Sequence, residues 1–247
     1  MGVLLFSTLM PVESSFADIL GRAVNLKDAL ATMSPVFAPS DTTVNAGNFA
    51  AFLGTVEVAN EAVAAAGGAY TVLATEREAL LKVIKKTATR VINYLKSNDA
   101  FAPRLKAATQ AADKLRGVNT KRPKLPPPPP GGEVPKVRSK GDMSYMDAQG
   151  HFKSVIDAVT GLAGYAPTPV GNPITLANLN ATLSGFKGQN AGISSLETAY
   201  TEEVVKRQTL YTGKGKLRDK FKKIKNAVAA QYGRESGEFA SVAGINY

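Results

Sequence analysis

The stretch from Phe37 to Lys96 returns as Tyr165 to Lys225, so any fold for this chain must accommodate one plan written twice. Phe37-Ala38-Pro39 is answered by Tyr165-Ala166-Pro167 at a shift of 128. A shift of 130 then makes nine positions identical: Asn48/Asn178, Ala51/Ala181, Leu53/Leu183, Asn60/Asn190, Ala69/Ala199, Tyr70/Tyr200, Thr71/Thr201, Arg77/Arg207 and Leu80/Leu210. Apolar exchanges such as Phe49/Leu179 and Val63/Ile193 fall between them.

The repeated plan reads as helix. Phe16, Ile19, Leu20, Ala23, Leu26, Leu30 and Met33 recur at threes and fours, the spacing of one helix face, and Ser34-Pro35 ends the pattern. A long helix is expected from Asn45 to about Leu81, weakened at Gly67-Gly68 by roughly 1 kcal/mol per glycine. A further helix covers Lys82 to Lys96, with Val83, Ile84, Thr87, Val91, Ile92 and Leu95 inward. A short one ends at Arg116-Gly117. The second copy matches with Tyr145 to Leu162, Ile174 to Tyr211 and Leu217 to Tyr232. There Thr212-Gly213-Lys214-Gly215 breaks the long helix and moves the register to 133. An alanine-rich, Trp-free chain with 7% aromatics agrees with this pattern. The expected fold is all-α: a helical bundle of two homologous three-helix halves, 1–117 and 142–247, about a pseudo-twofold axis. Between them, 118–141 is a basic linker whose five successive prolines, Pro126 to Pro130, form a polyproline II spacer.

Composition excludes several chemistries. Without cysteine there is no disulfide, thiolate metal site or cysteine nucleophile. The single histidine, His151, has no second histidine to join, and a solvated ring is expected there. The carboxylate pairs Glu57/Glu61, Glu76/Glu78, Glu202/Glu203 and Glu235/Glu238 lack the Glu-x-x-His partners of bundle metal sites. Gly213-Lys214-Gly215-Lys216 lacks the spacing of a phosphate loop and joins two helices. No catalytic residue, cofactor or metal is expected. No unbroken run of about 18 apolar residues suggests a membrane span. The segment Met1 to Met10 lacks the basic residues of a signal peptide and meets Pro11 at once, so a cytoplasmic location is expected. Ser15-Phe16-Ala17 resembles a cleavage site and keeps secretion as the alternative.

Two sets of polar residues stand out. Lys214, Lys216, Arg218, Lys220, Lys222, Lys223 and Lys225 crowd one helix, offset by Asp219, and offer a candidate polyanion contact of strong salt dependence. Half of the net charge of +10 nevertheless lies in 119–141, where six basic residues face one acidic residue. The second set is Asn60, Asn190, Tyr70, Tyr200, Arg77 and Arg207, identical in both copies, with Tyr and Arg seven apart on one stripe. Such residues stack or hydrogen-bond between repeats, which makes them expected inter-repeat contacts.

The second half carries a resemblance. Tyr165-Ala166-Pro167, Leu176-Ala177-Asn178-Leu179, Ala199-Tyr200-Thr201, Arg207 and Leu210-Tyr211 lead to Ile224-Lys225-Asn226 and Gln231-Tyr232-Gly233. Ser236, Glu238-Phe239 and Val242-Ala243-Gly244-Ile245 close the chain. These residues resemble a family of uncharacterised bacterial proteins of Bacteroidetes-type genomes with a duplicated helical plan and a Gly-x-x-Ser-x-Glu-Tyr/Phe tail. The resemblance implies the architecture and carries no activity. The expected function is non-enzymatic: a structural or protein-interaction module, self-assembling or bound to a protein partner. The alternative is a weak, non-specific nucleic-acid or polyanion binder using the linker and the 214–225 flank.

Overall fold

A computed structural model of the chain describes residues 13–118, 144–168 and 172–247. The regular structure in it is entirely helical: α1 (Glu13–Ala31), α2 (Ala46–Lys96), α3 (Ala102–Arg116), α4 (Tyr145–Val159), α5 (Leu176–Tyr211), α6 (Leu217–Tyr232) and α7 (Gly237–Ala243). Short 3₁₀ turns precede α2 (Thr42–Val44) and α3 (Asp99–Phe101). The expected linker 118–141, apart from Val118, lies outside the described residues.

Local chemistry sets the helix ends. Asn45 caps α2, its Oδ1 accepting from Asn48 N at 2.7 Å. Ser144 and Asp147 form a reciprocal capping box at the start of α4. Gly117 ends α3 in the left-handed conformation (φ 75°). The identical pair Asn48 and Asn178 makes the same bond twice. Asn48 Nδ2 donates to Thr42 O at 2.8 Å, and Asn178 Nδ2 donates to Asn172 O at 3.0 Å.

Three expectations need correction. The boundary expected after Leu81 is absent, and one 51-residue helix runs through Gly67-Gly68 to Lys96. The sequence Ala79-Leu80-Leu81-Lys82 holds only good helix formers, so nothing stops propagation there. Val83, expected inward, is 51% exposed. The buried stripe is Ile84, Thr87, Ala88, Val91, Ile92 and Leu95, and Val83 sits one step, about 100°, off it. The third is α7, which the sequence reading left as tail; Ser236 caps it by accepting from Phe239 N at 3.0 Å.

By contacts the described chain forms two compact units, each drawing helices from both halves of the sequence. One unit joins α1 and α2 up to Gly68 with α5 from Thr198, α6 and α7. Its core holds Phe16, Leu26, Phe49, Leu53, Val56, Tyr211, Leu217, Phe221 and Ile224. Phe16 meets Tyr211 edge-on at 4.7 Å, and Phe49 meets Phe221 at 6.3 Å.

The other unit, Ala69–Glu197, joins the end of α2 with α3, α4 and the start of α5. Its core holds Ile84, Val91, Leu95, Phe101, Leu115, Phe152, Val155, Leu179 and Phe186. Tyr94 stacks on Phe101 and meets Tyr165 edge-on. Tyr165 donates to Ile174 O at 2.6 Å, and burial pushes its phenol up to about 12.

Within this unit α2 and α5 approach closely. A Cβ built on Gly192 would lie 2.8 Å from Leu73 Cδ2, whereas at Gly188, one turn earlier, nothing lies within 4 Å. Gly188→Ala is therefore expected to stabilise the protein by about 0.5–1 kcal/mol through helix propensity. Gly192→Ala should gain less than Gly188→Ala, because the half-buried Leu73 side chain must turn aside to admit the methyl. Urea denaturation of the two variants checks the difference.

Candidate functional site

Among the described residues no group of three or more histidine, aspartate or glutamate side chains is placed to hold a metal ion. The candidates are therefore the paired polar residues, the basic flank, the outer face of α2 and the surroundings of His151.

Most of the paired residues tie the two halves of the sequence together inside one unit. Arg77 from α2 lays its guanidinium over the Tyr145 ring of α4, 3.6 Å from the centroid. Arg207 from α5 does the same over Phe16 of α1, at 4.1 Å, and is 3% exposed. Asn60 donates to Tyr211 Oη at 2.9 Å. Tyr200 lies against Gly67, where an added Cβ would come within 3.3 Å of its ring. Asn190 behaves differently. It donates to Gln149 Oε1 at 3.1 Å and to Tyr145 O, both in its own half of the sequence. Tyr70 is half-buried on α2.

The basic flank on α6 is largely turned to internal work. Lys220 is buried, donates to Thr43 O at 2.7 Å, and stands 4.9 Å from the Phe52 ring. Burial lowers the pKa of its ammonium below the usual lysine value. Lys223 pairs with Asp41 at 3.1 Å and with Asp219 at 3.7 Å. Lys225 donates to Ala243 O and Asn246 Oδ1, and Arg218 stands over the Tyr247 ring at 5.7 Å. Lys214 and Lys222 are exposed. The sequence spacing that groups these residues by face does not distinguish a cation held by a carbonyl from one held by water.

The outer stripe of α2 was not anticipated. Val58, Glu61, Ala65, Gly68, Val72, Glu76, Ala79, Val83 and Lys86 follow one another at threes and fours, and each is exposed. Val58 and Val72 are 65% and 60% exposed. An 18-residue window of α2 reaches a mean hydropathy of 1.3 with 22% of it buried, which meets the length and composition of a membrane-crossing helix. The reading by unbroken apolar runs missed it because alanine and glycine carry much of the window.

His151 is half-buried, with Nε2 shielded and without a hydrogen-bond partner among the described residues. This departs from the solvated ring expected. His151 stands three residues after Ala148 and four before Val155, both buried, so the helical period itself pointed inward. It lines a cleft of about 430 Å³ between α3 and α4, together with Ala107, Gln110, Ala111, Lys114 and Ser154.

No family model, no curated protein and no solved structure matches this chain.

Two measurements test the geometry. Hydrogen bonds from Thr43 and the Lys223 ammonium hold the Asp41 carboxyl down to about 2. A carboxyl depressed in the folded state contributes stability above the ordinary carboxylate range and loses it as pH falls through its folded value. The stability gap between wild type and Asp41→Asn in urea denaturation should be full at pH 7 and close between about pH 4 and pH 2. A double-mutant cycle of Arg77→Leu and Tyr145→Leu should return a coupling of about 0.5–2 kcal/mol, the range for a cation over an aromatic face.

Proposed function

We propose that this protein is a non-enzymatic interaction module that associates with a second copy of itself through the outer stripe of α2. The observation that carries the reading is a difference between the two copies of the repeat. At a shift of 130 the α2 stripe Val58, Glu61, Ala65, Gly68, Val72, Glu76 and Ala79 corresponds to Gly188, Ala191, Ser195, Thr198, Glu202, Lys206 and Thr209 on α5. Both stripes are exposed, yet valines at two positions on α2 become glycine and glutamate on α5, and two alanines become serine and threonine. A face that only has to be solvated is thus written polar in one copy. The apolar version asks for a partner.

The chemistry of the stripe favours an antiparallel second copy. Glu57 and Glu61 lie before Val72, while Lys82, Lys85, Lys86 and Arg90 follow it, beyond Glu76 and Glu78. Two such helices running antiparallel about Val72 bring the acidic end of one beside the basic end of the other, and the contact is the same on both copies. Ala65, Gly68 and Ala79 allow close backbone approach. A lipid surface fits less well. Carboxylates lie on the stripe, and it has none of the tryptophan or tyrosine typical of the membrane interface.

The two-copy architecture in this reading rests on the nine identities, the matching Asn48 and Asn178 bonds, and burial. Positions 61–76 and 191–206 alternate between buried, half-buried and exposed in the same order. The polyanion alternative has less support, because Lys220, Lys223 and Lys225 are engaged within the protein.

Light scattering across a concentration series should show a monomer–dimer equilibrium. Val72→Glu should weaken it at least about tenfold, or about 1.4 kcal/mol, while Glu202→Lys on α5 leaves it unchanged. A wild-type protein that stays monomeric at the highest concentrations would overturn the proposal, as would sedimentation with neutral phosphatidylcholine vesicles that Val72→Glu abolishes.

A further inference from the structure

The cleft between α3 and α4 is independent of the α2 stripe and has its own chemistry. Its charged wall is Lys114, exposed on α3 and without an ion-pair partner among the described residues. The carboxylates near it in sequence or across the cleft are all engaged elsewhere. Asp113 is held by Arg116 at 2.6 Å, Asp157 by Lys153 at 2.6 Å, and Asp147 accepts from Ser144 N at 3.2 Å. None of the lining residues is acidic, so the cleft carries one uncompensated positive charge.

We propose that this cleft binds a small organic anion, a carboxylate carried on a short apolar body. Lys114 supplies a compact charge with three donors, and the Gln110 amide supplies two more. Ser154 donates its hydroxyl to Gly150 O at 3.1 Å, so the donors left for the carboxylate are Lys114 and Gln110. Ala111, buried, and Ala107, exposed one turn earlier on α3, give the cleft its apolar part. They leave room above them for a ring or a few methylenes instead of filling it themselves. The volume of about 430 Å³ lies in the range of small-molecule sites.

The occupant is monovalent. The lining residues come from within α3 and α4, away from their first turns, and include one lysine and no arginine. No helix N-terminus or guanidinium fork is present to match a doubly charged phosphate. His151 adds the last observation. Its Nε2 is a shielded nitrogen without a partner at the wall of the cleft, a group that native proteins nearly always satisfy. A small rotation of the ring toward a bound carboxylate provides the missing partner.

The chain contains one histidine, so untagged protein labelled at histidine gives one imidazole signal by NMR. Titration with sodium benzoate at fixed pH, with sodium chloride replaced to hold ionic strength constant, should shift that signal along a saturable curve. Lys114→Met should weaken the apparent affinity at least fivefold, while Lys106→Met, on α3 outside the cleft, leaves it as in wild type. Benzoate should bind more tightly than acetate, reporting the two alanines. A shift that grows linearly without saturation would overturn the site. So would a Lys114→Met curve that overlays wild type, or acetate and benzoate of equal affinity.

Discussion

An unbroken ladder of backbone hydrogen bonds carries α2 from Ala46 to Lys96, and both hydrophobic cores are built on it. Phe49, Leu53 and Val56 enter one core, while Ile84, Ala88, Val91, Ile92 and Leu95 enter the other. Gly67 and Gly68 sit between these groups, where two glycines in a helix cost about 1 kcal/mol each against alanine. At Gly67 the cost has a counterpart in packing. A Cβ there would lie 3.3 Å from the Tyr200 ring, so glycine lets the ring sit closer to α2 than alanine would. At a shift of 130 the corresponding residue is Glu197.

Neither core can be assembled from one half of the sequence. The first unit takes its entry helix and the start of α2 from the first half, and the end of α5, α6 and α7 from the second. The other unit reverses the loan: α4 and the start of α5 come from the second half, and the end of α2 and α3 from the first. The arginine contacts follow this exchange. Arg77 reaches across the sequence to Tyr145, and Arg207 reaches back to Phe16. Tyr145 stands at the start of α4 and Phe16 in the first turn of α1, so each guanidinium meets the first turn of a helix from the other half of the sequence. A guanidinium suits this role because it stacks on a ring while carrying little of the hydration cost of an ammonium.

What could be read from the sequence was the local and the periodic. The buried stripes of α1 and α6 were legible because Leu26, Leu30, Phe221, Ile224 and Val228 recur at helical spacing with large side chains. The identities at a shift of 130 do not reveal that each unit draws helices from both halves of the sequence, since identical residues do not say which partner they face. His151 was misjudged because its type was weighed before its place on the Ala148–Val155 stripe. The outer face of α2 escaped notice for the opposite reason: alanine and glycine are small, and a stripe made of them becomes visible only once the opposite stripe is known to be buried.

The basic residues of α6 illustrate how charge relates to connection. In the first half of the sequence Lys82 to Lys96 is the direct continuation of α2, and its position is fixed by the helix it extends. In the second half Thr212–Gly215 separates α6 from α5, with Gly213 and Gly215 at positive φ values of 109° and 75°. A helix cut loose in this way needs other ties, and they are polar. Asp219 accepts from Gly215 N at 2.8 Å and holds the break itself. Lys220 and Lys223 fix the Asp41–Thr43 turn, Lys225 fixes the chain end at Ala243, and Gln231 bonds both Val36 O and Ala38 N at 2.9 Å. The unbroken end of α2 has Lys82, Lys85, Lys86 and Arg90, and Lys82 pairs within its own helix with Glu78 at 3.0 Å. Lys220, Lys223 and Lys225 of α6 thus accompany the loss of helical continuity between Tyr211 and Leu217.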